Sequence, residues 1–267
     1  MSVAPNTSVD QVFDALRLLA GGDVVGVADA AREMDLPTST AHRILATVAD
    51  TGFARRDTTG TKYELGVQAH MLVHGLFRQF RIQREALPFL SHLAKELGET
   101  TTLDVRIGWL AVRMAGFEGW NDIHAGRRIG QTTPLAETAG GLAILAFDDD
   151  PADYRKWAKA GRRPAGSFKN LGDELVRIRR RGYARRPEPD SNGAEIALPI
   201  RASGRAVAAI CINGQGPLLA ERPDSDALAT ARAVTAELES RVAEEPEIAR
   251  DPFAHLDADE LTTAAGG

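Results

Sequence analysis

The run LPTSTAHRIL, residues 36–45, packs hydroxyl, imidazole and guanidinium groups into little more than two helical turns. Thr38, Ser39, Thr40, His42 and Arg43 follow Pro37, which suits a first helical position because its missing N–H costs nothing there. Ala41, Ile44, Leu45 and Val48 recur at helical spacing and supply a stripe to bury. The polar groups lie opposite that stripe with no obvious partner in the chain. Hydroxyls suit phosphate oxygens and base edges alike. Arg43 can bridge O6 and N7 of a guanine, worth roughly 1–3 kcal/mol of discrimination. Arg55, Arg56 and Lys62 follow in two short strand-like runs and can neutralise phosphates. A solvated helix face is the alternative. It accounts poorly for the helix, the basic hairpin and this placement occurring together.

Other chemistry is thin. The chain has no G-x-S-x-G elbow, Walker A loop or H-E-x-x-H motif. His70 and His74 stand one helical turn apart without an obvious third ligand, so helix packing is the better reading. Asp122 and His124 lie in a Gly-rich loop with no element to fix their geometry. The single cysteine, Cys211, sits mid-strand among Ala and Ile and reads as a small core residue. It rules out an intramolecular disulfide and the Cys₄ and Cys₂His₂ zinc sites. No metal and no cofactor are expected.

The chain has 267 residues, 43% hydrophobic and 26% charged, with a formal net charge of −5. After Ala243 come seven acids against Arg250 alone, so the acid excess is concentrated in a tail that reads as solvated, and the body is nearly neutral. No stretch approaches the roughly 20 apolar residues that span a bilayer. Nothing at the start resembles a signal peptide. A cytoplasmic location is expected.

The elements that must position the polar row are legible nearby. Ser8 and Gln11 have capping-box spacing, and Val12, Phe13, Leu16 and Leu19 mark a helix over about 8–20. A short helix follows from about Val27 to Met34, packing through Ala28, Ala31 and Met34. Asp35 and Leu36 make a tight turn, Asp tolerating positive φ better than most residues. Gly52 fits a C-terminal cap for the third helix. FARRD and TKYEL, joined around Gly60, read as a β-hairpin. Three helices and a hairpin make a winged helix-turn-helix.

From Gly66 to Phe80 a helical segment is apolar over a wide arc, which predicts a second subunit against it, the alternative being packing on the larger domain of the same chain. Another helix is expected over about 85–97, with Pro88 near its start. TTTLDVRIG and WLAVRMAGF read as antiparallel strands broken at Gly108. ETAGGLAILAF is helical. NLGDELVRIRRRG is a helix capped by Asn170 and ended by Gly182, its arginines serving the helix dipole and surface. GAEIALPIR and RAVAAICIN pair around Ala202, Ser203 and Gly204. Leu228, Ala231, Val234, Leu238 and Val242 mark one face of a closing helix. This order predicts an α+β domain on an antiparallel sheet.

Together these features resemble the IclR family of bacterial transcriptional regulators. DALRLLA, VADAAREMDLPTSTAHRILATVADTGFARRD and YELG carry the resemblance in the first domain. TPLAETAGGLAILAF, ELVRIRRRGYA and ALPIRASGRAVAAICING carry it in the second, and it covers about residues 8–245. It implies a winged helix-turn-helix over 8–67, a linker helix over 68–82, a GAF-like effector domain over 83–246 and a disordered tail over 247–267. The implied partners are double-stranded operator DNA, a small organic acid and further copies of the chain, as a homodimer or a dimer of dimers, with no membrane. In such proteins a small carboxylate lies against the helix start that matches Thr138, Ala139 and Gly140, where N–H groups hold anions. Other pocket positions match Ala125, Thr133, Arg186, Ala194 and Ile196. Arg185 and Arg186 replace acids common in the family, and Ile196 replaces a commonly polar side chain. One reading is a more anionic or more apolar effector, such as an aromatic acid; the other is a loop whose arginines face water.

The function expected is ligand-controlled, sequence-specific regulation of transcription, as a repressor and not an enzyme. The alternative is a small-molecule-binding enzyme or sensor that uses its helix-turn-helix only to bind protein.

Overall fold

The computed structural model describes residues 7–21, 24–77, 80–120, 129–147, 154, 156, 170–187, 193–214 and 226–252. The chain divides into two compact units, Met1–Gln79 and Phe80–Gly267.

In the first unit, α1 (Thr7–Ala20), α2 (Val27–Glu33) and α3 (Thr38–Asp50) surround a small core. Ala15, Leu19, Ala30, Ala41, Ile44, Leu45 and Val48 are buried there with Tyr63. Three details differ from expectation. Helix α1 starts at Thr7, so Ser8 lies within it and not ahead of it. Phe13 is exposed, because it falls two residues, about 200°, from Ala15, on the far side of the helix from the Ala15–Leu19 stripe. In α2, Ala30 and Ala31 are buried and Ala28 is exposed.

The turn between α2 and α3 places Asp35 at φ 50°, as its side chain type allows. Helix α3 ends in a Schellman arrangement: the Phe53 N–H reaches Val48 O and the Gly52 N–H reaches Ala49 O, with Gly52 at φ 78°. The wing is β2 (Ala54–Arg56) paired with β3 (Lys62–Leu65). A third strand, β1 (Val25–Gly26), pairs with the other edge of β3, which the sequence alone did not suggest. Helix α4 (Val67–Phe77) follows, with Val67, Met71 and Leu72 about two-thirds exposed.

The second unit begins with α5 (Arg81–Leu97), four residues ahead of the expected start, so Pro88 lies inside the helix. Pro88 is exposed, where water can satisfy the carbonyl its missing N–H leaves unpaired. A six-stranded antiparallel sheet follows, in the order β6-β5-β4-β9-β8-β7. Its strands are β4 (Thr100–Ile107), β5 (Leu110–Phe117), β6 (Thr132–Pro134), β7 (Ala184–Pro187), β8 (Ala194–Ala202) and β9 (Arg205–Gly214). The β8–β9 hairpin turns through Ser203 and Gly204, at φ 51° and 86°, the two positive values of a type I′ turn.

One face of the sheet meets α6 (Ala139–Ala146) and α7 (Leu171–Arg181); Ala111, Ala197, Ala209 and Cys211 share a core with them. Helices α5 and α8 (Asp226–Glu244) pack together against the sheet, on β4, β5 and β8. Leu228, Ala231, Val234, Leu238 and Val242 of α8 are all buried, as their spacing predicts. Asn170 occupies the N-cap position of α7 but its side chain makes no capping bond. Arg179 donates to Ala146 O, and Arg181 to Glu174 and Tyr183 O, so these arginines of the run serve the fold. Beyond α8, Pro246–Ala249 form a 3₁₀ turn with Ile248 buried, so ordered chain continues into the start of the expected tail. No helix among the described residues is long and apolar enough to cross a membrane.

Candidate DNA interface and effector site

Helix α3 presents Thr38, Ser39, His42 and Arg43 to solvent, with Thr40 half-buried. The opposite face, Ala41, Ile44, Leu45 and Val48, is at most 7% exposed. The helix is thus fixed from behind and free in front. Among the described residues, no hydrogen bond or ion pair engages the side chains of Ser39, His42 or Arg43.

The wing holds its shape through Asp57. Thr59 Oγ1 donates to Asp57 Oδ2 at 2.6 Å, and the Thr61 and Lys62 N–H groups donate to Oδ1 at 3.1 and 3.0 Å. These bonds, that from Thr59 foremost, hold the Asp57 carboxyl below its ordinary value. Arg55 pairs with Glu64 at 2.9 Å. Arg56 donates to Gly60 O at 2.8 Å and lies over the Tyr63 ring. Both arginines stay exposed, but each already has a partner, which their sequence positions did not reveal. Lys62 is exposed with its ammonium unpaired among the described residues.

In the second unit, the start of α6 is pressed onto the sheet. A Cβ on Gly140 would stand 2.5 Å from Asp104 Oδ2 and 2.7 Å from Cys211 Sγ, and one on Gly141 would stand 2.1 Å from Leu135 O. Glycine is required at both for this approach. Thr138 is the N-cap, its hydroxyl accepting the Gly141 N–H at 2.9 Å. The 3₁₀ turn Leu135–Glu137 that leads in is clamped at Ala136. Its N–H donates to Tyr154 Oη at 3.1 Å, and its carbonyl accepts from Arg186 Nη1 at 2.6 Å. Burial pushes the Tyr154 hydroxyl up to about 12.

Beneath α6 lies a buried ionic cluster. Arg113 Nε donates to Asp104 Oδ1 at 3.1 Å, and its Nη2 lies 3.5 Å from Glu195 Oε1; all three side chains are at most 5% exposed. Glu195 Oε2 accepts the Ala139 N–H at 2.8 Å. Asp104, Glu195 and Cys211 bring ligand atoms within 4.8 Å of one another. A cation among them would stand beside the Arg113 guanidinium and meet like charge.

A hydroxyl-and-guanidinium row on a helix braced from behind, a wing, and a separate sheet domain with a polar helix start now stand together. The model for the IclR helix-turn-helix domain matches residues 8–58, and that for the bacterial transcriptional regulator IclR C-terminal domain matches 74–239. The chain belongs to the IclR family. It is 32% identical over 220 residues to the glycerol operon regulatory protein of Streptomyces coelicolor, covering 78% of this chain and 84% of that one. It is 29% identical over 215 residues to the HTH-type transcriptional regulator BhcR of Paracoccus denitrificans, covering 78% and 77%. The fold matches the crystal structure of Thermotoga maritima IclR with TM-score 0.70 at 24% identity, over 88% of this chain and 98% of that one. An IclR homolog from Microbacterium hydrocarbonoxydans, complexed with 4-hydroxybenzoate, matches with TM-score 0.73 at 21% identity, over 87% and 98%. As an IclR-family protein the chain is a transcriptional regulator with an effector-binding domain, and not an enzyme.

The structure places the expected IclR pocket residues unevenly. Thr138, Ala139 and Gly140 form the helix start. Thr133 pairs with Ala111, whose side chain joins the α6-side core, so it shares that face. Arg186 stands opposite Glu195, on the same side. Ala194 and Ile196 do not share that face. Strand residues alternate, and Glu195 and Ala197 face α6, so the two neighbours point to the other side of the sheet. Of the first-turn N–H groups, that of Ala139 is taken by Glu195 and that of Gly141 by Thr138. Ala125, Asp122 and His124 lie outside the described residues, as does the side chain of His74. Sequence reading missed Asp104, Arg113 and Glu195. The available signal was a charge inside otherwise apolar strands, which is rarely buried unless paired.

Proposed function

We propose that this regulator is a cytoplasmic repressor that binds operator DNA as a dimer or dimer of dimers and is controlled by a small organic molecule in its second unit. The observation that carries DNA reading is the exposed row Ser39–His42–Arg43, unpaired among the described residues, on a helix whose other face is buried. Self-association is supported by Val67, Met71 and Leu72, which leave an apolar patch exposed on α4. An acidic effector, aromatic or not, has support from the 4-hydroxybenzoate complex of the Microbacterium homolog. The described groups favour it less, since Arg186 is bonded to Ala136 O and Glu195 caps Ala139.

The test is a gel-shift titration of the purified chain on DNA from upstream of its own and adjacent genes. Sequence-dependent retardation that one small molecule relieves is the expected result. No retardation of any such fragment at low salt overturns the reading.

A further inference from the structure

Asn213 is fully buried, yet among the described residues neither its amide nitrogen nor its amide oxygen has a hydrogen-bond partner. The Thr102 hydroxyl is buried and unpartnered in the same way. Both lie on the α6 face. Thr102 is paired across the sheet with Cys211, whose thiol backs Gly140, and Asn213 is two residues further along β9. Asn213 also stands directly opposite Glu195, the carboxylate that caps Ala139. An unmet N–H donor, an unmet carbonyl acceptor and an unmet hydroxyl therefore adjoin the first turn of α6. Buried groups of this kind are rarely left unpaired in native proteins, and a ligand that bonds them recovers the loss.

The surrounding charges select the ligand. Asp104 and Glu195 are the buried acids on this face, against Arg113 and the half-buried Arg186. A ligand carboxylate would find two of the three first-turn N–H groups, those of Ala139 and Gly141, taken, and would add a negative charge beside Glu195 where water is excluded. A ligand ammonium, which only donates, would leave the Asn213 amide N–H unmet. A hydroxyl both donates and accepts, and answers all three groups.

We infer that the effector is a neutral polyol or sugar-like molecule, held by Asn213 and Thr102 beside the Glu195-capped start of α6. This rests on the reading of the second unit as the effector domain.

Thermal unfolding of the full chain tests it, with a panel of three- to six-carbon polyols and monosaccharides set against benzoate and 4-hydroxybenzoate. A member of the first group should raise the Tm, and the acids should not. Asn213→Leu removes two unsatisfied atoms, so the free protein should unfold at the same temperature or higher while its affinity for that polyol falls by about tenfold or more. Thr102→Val should weaken binding in the same sense, and it supplies the comparison if Asn213→Leu does not fold. Stabilisation of the wild type by the acids, a panel in which no polyol acts, or full response in both variants overturns the inference. Gel shifts run in parallel separate the two claims: lost DNA binding refutes the regulator reading, and a lost polyol response refutes only the ligand class.

Discussion

Glu195 Oε2 accepts the Ala139 N–H at 2.8 Å, so the chain's own carboxylate occupies the start of α6. Arg113 makes this tolerable by lying against both Glu195 and Asp104. Removing the guanidinium leaves two buried carboxylates with no cation between them. Arg113→Met keeps much of the volume and should cost about 3–5 kcal/mol, the usual penalty for breaking one side of a buried pair. Urea unfolding measures it. A loss below about 1 kcal/mol would show that the cluster is solvated and not sealed.

The DNA-facing groups divide by role. Arg43 leaves the exposed face of α3, so Arg43→Ala should flatten the preference for operator over unrelated DNA by roughly 1–3 kcal/mol. Lys62 is a wing cation unpaired among the described residues, so Lys62→Ala should weaken binding to all sequences alike and lower the salt slope by about one. Arg56→Ala should act chiefly on wing stability, because Arg56 is bonded to Gly60 O and stacked on Tyr63. Competition gel shifts at several salt concentrations separate the three. Equal loss on every sequence from Arg43→Ala removes it from base reading.

What the sequence made legible was local. The stripe Ala41–Ile44–Leu45–Val48 is buried as its period requires, and Asp35 and Gly52 take the positive φ their turn positions demand. Each of these depends only on near neighbours. The pairing of Thr100 with Asn213 joins distant parts of the chain and leaves no local pattern. Which face Ala194 and Ile196 take was hidden for a related reason. Every residue of β8 from Ala194 to Ile200 is buried, because helices cover both faces, so hydrophobicity does not alternate and cannot say which side Ile196 takes. Only Glu195, a charge among apolar neighbours, hinted at the polar face.

Helix α4 should be a self-association surface. Met71 and Leu72 are 63% and 65% exposed in the single chain, one helical turn from Val67 at 65%. Met71→Glu and Leu72→Glu place charge where apolar contact is expected, and each should weaken self-association by about 2 kcal/mol or more. Sedimentation analysis reads this directly, and operator affinity should fall with it. An oligomer unchanged by both substitutions moves the interface elsewhere.

The wing has a defined acid limit. Asp57 titrates below its ordinary value of 3.8, because the Thr59 hydroxyl and then the Lys62 N–H bond its charged form. A carboxyl depressed on folding contributes above its unfolded value and loses that contribution as pH falls through the folded one. The wing turn should therefore be intact at neutral pH and loosen only in stronger acid. Amide NMR shifts of Thr61 and Lys62 should report a midpoint below that of a free aspartate, and Asp57→Asn should abolish the transition. A midpoint at or above the free value contradicts the bonding described.

Gly140→Ala sets two effects against each other. Replacing glycine in a helix interior ordinarily gains about 1 kcal/mol, because the unfolded chain loses freedom. Here the added Cβ would stand 2.5 Å from Asp104 Oδ2 and 2.7 Å from Cys211 Sγ, well inside contact distance. Asp104 cannot swing aside without releasing Arg113, and Cys211 is fixed in the central strand pair β4–β9. Overpacking of this kind costs about 1–3 kcal/mol, so the clash outweighs the propensity gain and the net effect should be destabilising. Pairing the variant with Cys211→Ala removes one of the two obstacles and should recover part of the loss. A single Gly140→Ala protein that unfolds at or above the wild-type temperature would mean that α6 does not sit this close to the sheet.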